Sequence, residues 1–472
     1  MPQSDPANVV FILTDDQGPW ALGCTGAPEL RTPNIDALAA GGTRFENFFC
    51  TTPVCSPARA NLMTGKIPSQ HGVHDWLCGG NMGPDAVAYL EGMTCYTDVL
   101  AANGYTCGLS GKWHLGDSLT PQHGFSHWFC MPGGGSKYND ATMIRDGEPV
   151  ACPGYLTDVI TDDALAFIEA NKHRPFYLSV NYNAPHTPFT GHPKQIVDSY
   201  DDCPFKSCPQ EAAHPWAVGS SRRHLGDRES LKGYFAAITG VDINVGRIVA
   251  KLQQLHLRDR TLVIFSSDNG YSCGHHGFWH KGNATFPINM YENSVKVPMI
   301  FNHPGRVPAG KVPQALVCQY DFMPTLLDYL HLPAVNDPTL PGRSALPVLT
   351  DRTDQAQQHV VAFDEYGPVR MIRTPEWKYV HRYPYGPHEL YDLVSDGGER
   401  KNLADEKSKA AVVAEMRKGL AEWFGRYVVP DLDGARMPCY GRGQRLKLTG
   451  PTTGEEAFMS MAEAGEWARP GT

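Results

Sequence analysis

Asn8-Val9-Val10-Phe11-Ile12-Leu13-Thr14-Asp15-Asp16 is an apolar run that stops at two carboxylates. Continuous rather than alternating hydrophobicity marks a strand buried on both faces, so the run predicts a central strand of a parallel sheet with Asp15 and Asp16 at its C-terminal end. Thr261-Leu262-Val263-Ile264-Phe265 repeats the design and leads into Asp268-Asn269-Gly270. Ligands of open α/β sheets bind at that edge.

Working outward, Thr32-Pro33 opens a helix that Gly41-Gly42 stops, and helices are expected over residues 97–103, 156–172, 231–255 and 322–330. Strands are expected within 104–110, 176–180 and 298–301. This alternation predicts an α/β fold, a large mixed, mainly parallel sheet sandwiched by helices. A polar stretch, residues 352–359, breaks the pattern. Short strands near 360–363, 369–372, 378–380 and 390–393, followed by a helix over 409–427, predict a smaller C-terminal α+β domain with an antiparallel sheet. The expected domains are 1–355 and 356–472, with residues 451–472 read as an arm without clear register.

The chain has 472 residues, 42% hydrophobic and 19% charged, enough for a large core and more than one domain. A formal net charge of −9 argues against nucleic acid or an anionic membrane as partner, so an anionic substrate must be met by a local cluster of cations. No apolar run approaches the ~20 residues that span a bilayer, and Met1-Pro2-Gln3-Ser4-Asp5 lacks a basic, then apolar, secretion signal. Thirteen cysteines without framework spacing favour a reducing compartment, and Cys203 and Cys208 read as structural rather than as zinc ligands. The expected location is the cytoplasm, or the periplasm or exterior if a signal has been removed.

Cys55-Ser56-Pro57-Ala58-Arg59-Ala60-Asn61-Leu62-Met63-Thr64-Gly65 is the stretch where chemistry is expected to start. Pro57 suits the first position of a helix, which would leave Cys55 just outside the N-terminus, where free N–H groups and the helix dipole favour an anion. Arg59, about one turn on, reaches the same neighbourhood. Asp15-Asp16 and Asp268-Asn269 offer carboxylates and an amide carbonyl, donors that suit one hard divalent cation, Ca²⁺ or Mg²⁺, rather than zinc. Taken singly, each pair reads equally well as turn or cap residues.

The Cys55 stretch resembles the sulfatase signature Cys-x-Pro-x-Arg followed by Leu-x-Thr-Gly, in which the cysteine is oxidised to formylglycine, and every anchor is present. Gly104-Tyr105 and Gly111-Lys112-Trp113-His114 match the ends of the second signature of that family. Cys107 and Ser110 depart from it, where Ser or Thr and a small apolar residue are usual. His186 and Lys281 also fall where sulfatases have active-site residues, and Trp377-Lys378-Tyr379, Glu389-Leu390-Tyr391-Asp392-Leu393 and Asn402-Leu403-Ala404 resemble the family's small domain. The resemblance is to formylglycine-dependent sulfatases of the alkaline-phosphatase superfamily.

That resemblance implies the metal ligands Asp15, Asp16, Asp268 and Asn269, and the catalytic set Cys55, Arg59, Lys112, His114, His186 and Lys281. Formylglycine at 55, hydrated to a gem-diol, would attack the sulfate ester, with Asp268 accepting its proton. Lys112, His186 and Lys281 would grip the sulfate, His186 or Lys281 would protonate the leaving oxygen, Arg59 and Lys112 would hold the gem-diol, and His114 would take the proton that lets the aldehyde reform. The implied partners are an aryl or carbohydrate sulfate ester and the formylglycine-generating enzyme. Two alternatives stay open: a phosphonate monoester or phosphodiester hydrolase of the same superfamily, and a non-catalytic binder of sulfated glycans with unmodified Cys55. Trp76 reads either as a stacking platform or as core, the segment 201–223 as a pocket loop, and His275, His276 and His280 as possible pocket residues.

Overall fold

The computed structural model describes residues 6–351, 361–448 and 454–463. Asn8–Asp15 is an interior strand, fourth in the order of a nine-stranded sheet, and is buried along its whole length. Thr261–Ser267 pairs with it in parallel on one side and Phe176–Pro185 on the other; Thr106–Gly111 and Phe125–Cys130 continue the parallel series. The edges are antiparallel: Met299–Asn302 and Thr43–Phe45 at one end, and the Asn139–Arg145 and Glu148–Tyr155 hairpin at the other.

Successive side chains of a strand point to opposite faces. Val9, Phe11 and Leu13 enter one core with the helices Cys55–Thr64, Tyr96–Ala102 and Phe322–Tyr329, whereas Val10 and Ile12 enter the other with Pro33–Ala40, Leu156–Ala170 and Arg228–Gln254. Each fully buried aliphatic or aromatic side chain contributes ~1.5–3 kcal/mol, so a charge inside this run would be costly and the carboxylates fall at its end.

Several expected bounds shift. The 176–180 strand runs on to Pro185, which carries the chain directly to His186, and the helix expected from 231 starts at Arg228, where the Asp227 side chain caps Glu229 and Ser230 N–H groups. Residues 139–155, which no expected element covered, form the edge hairpin, whose exposed faces give little hydrophobic signal.

Beyond residue 361 a four-stranded antiparallel meander, Ala362–Tyr366, Val369–Arg373, Trp377–Arg382 and Glu389–Asp392, packs against the helix Ala410–Tyr427. The expected boundary near 355 lies outside the described residues. The meander docks on the large sheet's layer: Glu365 N donates to Thr51 O at 2.8 Å, and buried Lys378 pairs with Glu292 at 3.2 Å and Glu399 at 2.7 Å. The described part of the tail has a register, unlike the expected arm: Arg445 N donates to Ala457 O at 2.8 Å and Met459 N to Gly443 O at 3.0 Å. Residues 449–453 and 464–472 lie outside the described residues.

Candidate active site

Asp15 ends its strand, and Asp16 turns the chain with φ 69°, a left-handed conformation that aspartate tolerates better than most residues. Tyr234 OH holds this turn by donating to Asp16 O at 2.9 Å. Thr261–Ser267 ends alongside in parallel register, so Asp268 and Asn269 arrive at the same edge: Asp16 N donates to Asp268 Oδ1 at 3.3 Å and Asn269 Nδ2 to Asp16 Oδ1 at 2.7 Å. The structure brings Asp15, Asp16, Asp268 and Asn269 together at this edge. Buried Gln319, which the sequence did not single out, donates to Asp268 O at 2.6 Å and accepts from Thr51 N at 3.2 Å.

Cys55 is the first residue of its helix, not the residue before it; Val54 is the cap and Pro57 the third helical position. Proline fits there for the reason given for the first position, because none of the first four N–H groups has an intrahelical partner. Every side chain of this helix is buried. Arg59 turns its guanidinium to Asp268 Oδ2, with Nε at 3.0 Å and an ion-pair distance of 2.9 Å, and also donates to Lys112 O at 3.0 Å.

Lys112 leaves the end of Thr106–Gly111 and ion-pairs with Asp15; Lys281 ion-pairs with Asp16 and places Nζ 3.5 Å from Cys55 Sγ. His186 Nδ1 donates to Thr187 O at 2.8 Å, leaving Nε2 3.8 Å from Asp16 Oδ2. His114 Nε2 donates to Leu77 O at 2.9 Å, and its Nδ1 is buried without a partner. The two departures from the second signature are accommodated locally: Ser110 Oγ donates to Asp163 Oδ2 at 2.6 Å, and the buried Cys107 thiol faces Thr97 O at 3.8 Å.

A cavity of about 510 Å³ opens over Cys55, lined by Asp16, His114, His186, His280 and Lys281 and also by Trp76, Cys78, Asn81, Ser220 and Asn283. Trp76 is thus a wall residue that also packs against the core. Of the 201–223 segment, Ser220 reaches the wall. His275 and His276 do not line it: His275 packs on Trp20 with ring centroids 4.9 Å apart, and His276 stacks on Tyr291 at 3.9 Å. Gly134 and Gly135 complete the rim; a Cβ on Gly134 would fall 2.3 Å from the His114 ring. The Gly133-Gly134-Gly135 run is the signal in the sequence for that close approach.

Three buried carboxylates face three buried cations here. Burial would raise Asp15 and Asp16, but Lys112 beside the first and Lys281 beside the second, with His186, hold both below the ordinary carboxylate range. Asp268 is pushed up by burial and by the Asp15 charge, more than Arg59 offsets. Burial would lower Lys281, but the Asp16 carboxylate holds its ammonium well above the usual value. Burial and the Lys112 charge keep His114 well below the ordinary histidine value, so it is neutral. Burial raises the Cys55 thiol despite Lys112 and Lys281.

The donor set fits a hard divalent cation. Asp15 Oδ1 and Asn269 Oδ1 are buried without hydrogen-bond partners, and ligand atoms of Asp15, Asp16 and His186 all lie within 4.8 Å of one another. Bare carboxylate and carbonyl oxygens match Ca²⁺ or Mg²⁺, and buried polar atoms left unpaired are costly without such a partner.

The sulfatase family model matches residues 7–332, and a model described as N-sulphoglucosamine sulphohydrolase, C-terminal, matches residues 274–424. The chain is 26% identical over 521 residues to an N-acetylglucosamine-6-O-sulfatase of Bacteroides thetaiotaomicron, covering 93% of this chain and 90% of the relative. A solved structure in complex with its substrate D-glucosamine-2-N,6-O-disulfate superposes with a TM-score of 0.77 at 24% identity, over 90% of this chain and 98% of that one. A phosphonate monoester hydrolase from Silicibacter pomeroyi shares the fold with a TM-score of 0.71 at 21% identity, over 89% and 96%. The chain belongs to the sulfatase family. Its fold is alkaline-phosphatase-like and its activity is that of a sulfuric ester hydrolase.

Proposed function

We propose that the chain hydrolyses an aryl or carbohydrate sulfate monoester at residue 55, with Cys55 converted to formylglycine by a formylglycine-generating enzyme. The observation that carries this reading is Cys55 itself, the first residue of a buried helix at the floor of the cavity, with the Lys281 ammonium 3.5 Å from its sulfur. Formylglycine, once hydrated, supplies a hydroxyl nucleophile that a thiol position otherwise lacks. Asp15, Asp16, Asp268 and Asn269 would hold one divalent cation, calcium in our reading, which when bound supplies a Lewis acid and positive charge.

The chain's own residues divide the remaining work. Lys112, Lys281 and His186 bind the sulfuryl oxygens, and Arg59 and Lys112 orient residue 55. Asp268, which holds Arg59 through Oδ2, is the carboxylate we assign as proton acceptor for the attacking hydroxyl. His186 is the favoured acid: Nδ1–H is committed to Thr187 O, so in the imidazolium form Nε2–H would be the donor to the leaving oxygen at the cavity. Lys281, whose proton Asp16 retains, suits charge stabilisation better than proton donation. Neutral His114, with Nδ1 unpartnered, is fit to accept the later proton that releases sulfate.

A reducing location, the cytoplasm, agrees with thirteen cysteines that are all free. Among the described residues no helix is long and apolar enough to cross a membrane. The test of function is a hydrolysis screen of the purified protein on aryl sulfate, sugar sulfate, phosphate diester and phosphonate monoester under one condition. The account expects a sulfate ester to be turned over best; preference for the phosphonate or the diester would contradict it.

A further inference from the structure

Residues 439–444 make a turn against the cavity-lining residues Trp76, Cys78 and Asn283, beyond both ranges that the family models match. Gly441 and Gly443 have φ of 75° and 121°, on either side of the buried Arg442. Both are pressed against wall residues. A Cβ on Gly441 would fall 2.7 Å from Asn283 Cβ, and one on Gly443 would fall 2.9 Å from Cys78 Sγ and 3.1 Å from Trp76 Cζ2. Any side chain at either position would have to displace the wall.

The backbone ties the same turn to the same wall. Gln444 N donates to Trp76 O at 2.8 Å, Cys78 N donates to Gln444 O at 2.9 Å, and Asn283 Nδ2 donates to Gly441 O at 3.3 Å. Buried Asp75 completes the junction: Oδ2 accepts from Gly443 N at 3.0 Å, while Oδ1 accepts from Trp76 N at 2.9 Å and from Tyr366 OH, on the C-terminal sheet, at 2.5 Å. The groups assigned above to the sulfate, Lys112, His186 and Lys281, come from other elements.

We propose that the 439–444 turn is a specificity-determining element, with Asp75 as its positioning residue. It fixes where Trp76, Cys78 and Asn283 stand and so which leaving group, a bare aryl ring or a sugar that extends beyond one ring, fits the cavity. The proposal rests on the reading of this cavity as the substrate pocket. Chemistry at residue 55 is thereby assigned to the N-terminal part of the chain, and the placing of the wall residues that discriminate between leaving groups to a turn near its C-terminal end.

Asp75→Asn separates the two roles, because an amide keeps an oxygen for Trp76 N and Tyr366 OH but turns an N–H towards Gly443 N, cutting that one tie. The experiment compares wild type, Asp75→Asn and Gly443→Ala on a compact aryl sulfate and on a sulfated disaccharide. Wild-type turnover tests the function, and the ratio between substrates tests the turn. The expected result for Asp75→Asn is a fall of about tenfold in kcat/KM for the disaccharide, carried by KM, with aryl-sulfate kcat within about twofold. Gly443→Ala should shift the same ratio; if it does not fold, Asp75→Asn decides alone. Parallel losses on both substrates, or an unchanged ratio in Asp75→Asn, would overturn the proposal.

Discussion

The Nζ of Lys281 lies 3.5 Å from the Sγ of Cys55 while ion-paired to Asp16. One ammonium thus bridges the candidate nucleophile and the candidate metal ligands. A cation thus stands beside residue 55 in a chain whose net charge is −9.

Replacing Cys55 separates folding from chemistry. Cys55→Ala is expected to abolish turnover, since a methyl side chain cannot become an aldehyde, and Cys55→Ser to do so nearly, since an enzyme that oxidises the thiol is not expected to act on the hydroxyl. Both fit the first helical position, so far-UV circular dichroism should be unchanged. Substantial activity in either purified variant would rule out the formylglycine reading.

Removing the cation should also remove activity. Chelation is expected to inactivate the enzyme and Ca²⁺ or Mg²⁺ to restore it, because Asp15, Asp16, Asp268 and Asn269 offer only oxygen donors. Restoration by zinc alone would point to a different ligand set. Asp268→Asn should lower both cation affinity and turnover, since it also strips Arg59 of its buried partner.

The leaving-group proton distinguishes His186 from Lys281. Nitrophenolate departs with little help and a sugar alkoxide does not, so loss of the acid should damage sugar-sulfate turnover more, within the about 10²–10⁴-fold that general acids contribute. His186→Ala should show this selectivity and Lys281→Ala should lower both substrates together. Equal losses for His186→Ala would reassign it to sulfate binding.

His192 makes a pH prediction independent of the active site. Buried beside Tyr138, with Nδ1 3.1 Å from Tyr155 OH, it is lowered by burial to about 4. The unfolded chain then binds a proton that the native state refuses, so stability is full above the unfolded value of ~6.5 and is lost as pH falls towards 4. The loss specific to His192 approaches about 3 kcal/mol at the acid end. Urea unfolding of wild type and His192→Gln between pH 7 and 4 should converge or cross as pH falls, and parallel curves would contradict the assignment.

Much of the site was legible because its signals are local. Val9 to Leu13 is apolar without interruption, so Asp15 and Asp16 must end a buried strand, and the same holds for Leu262 to Phe265 before Asp268. The spacing of Cys55, Pro57 and Arg59 also survives folding, although the helix starts two residues earlier than Pro57 alone suggests. What was not legible depends on distant partners. Gln319 matters because it meets Asp268 O across the fold, and His276 is a stacking partner only because Tyr291 arrives beside it. Gly441 and Gly443 carry no signal of their role in the sequence, because it depends on Asn283 and Trp76 being placed against them.

The central claim is that turnover belongs to a converted residue 55. Peptide mass spectrometry across preparations of differing conversion measures the aldehyde fraction at position 55, and kcat on the best sulfate ester is measured on the same samples. The account predicts that kcat rises in proportion to the aldehyde fraction and extrapolates to zero for the unconverted thiol. Full turnover by a chain that still carries Cys55 as a thiol, or none by a fully converted, metal-loaded chain on any sulfate ester, would contradict it.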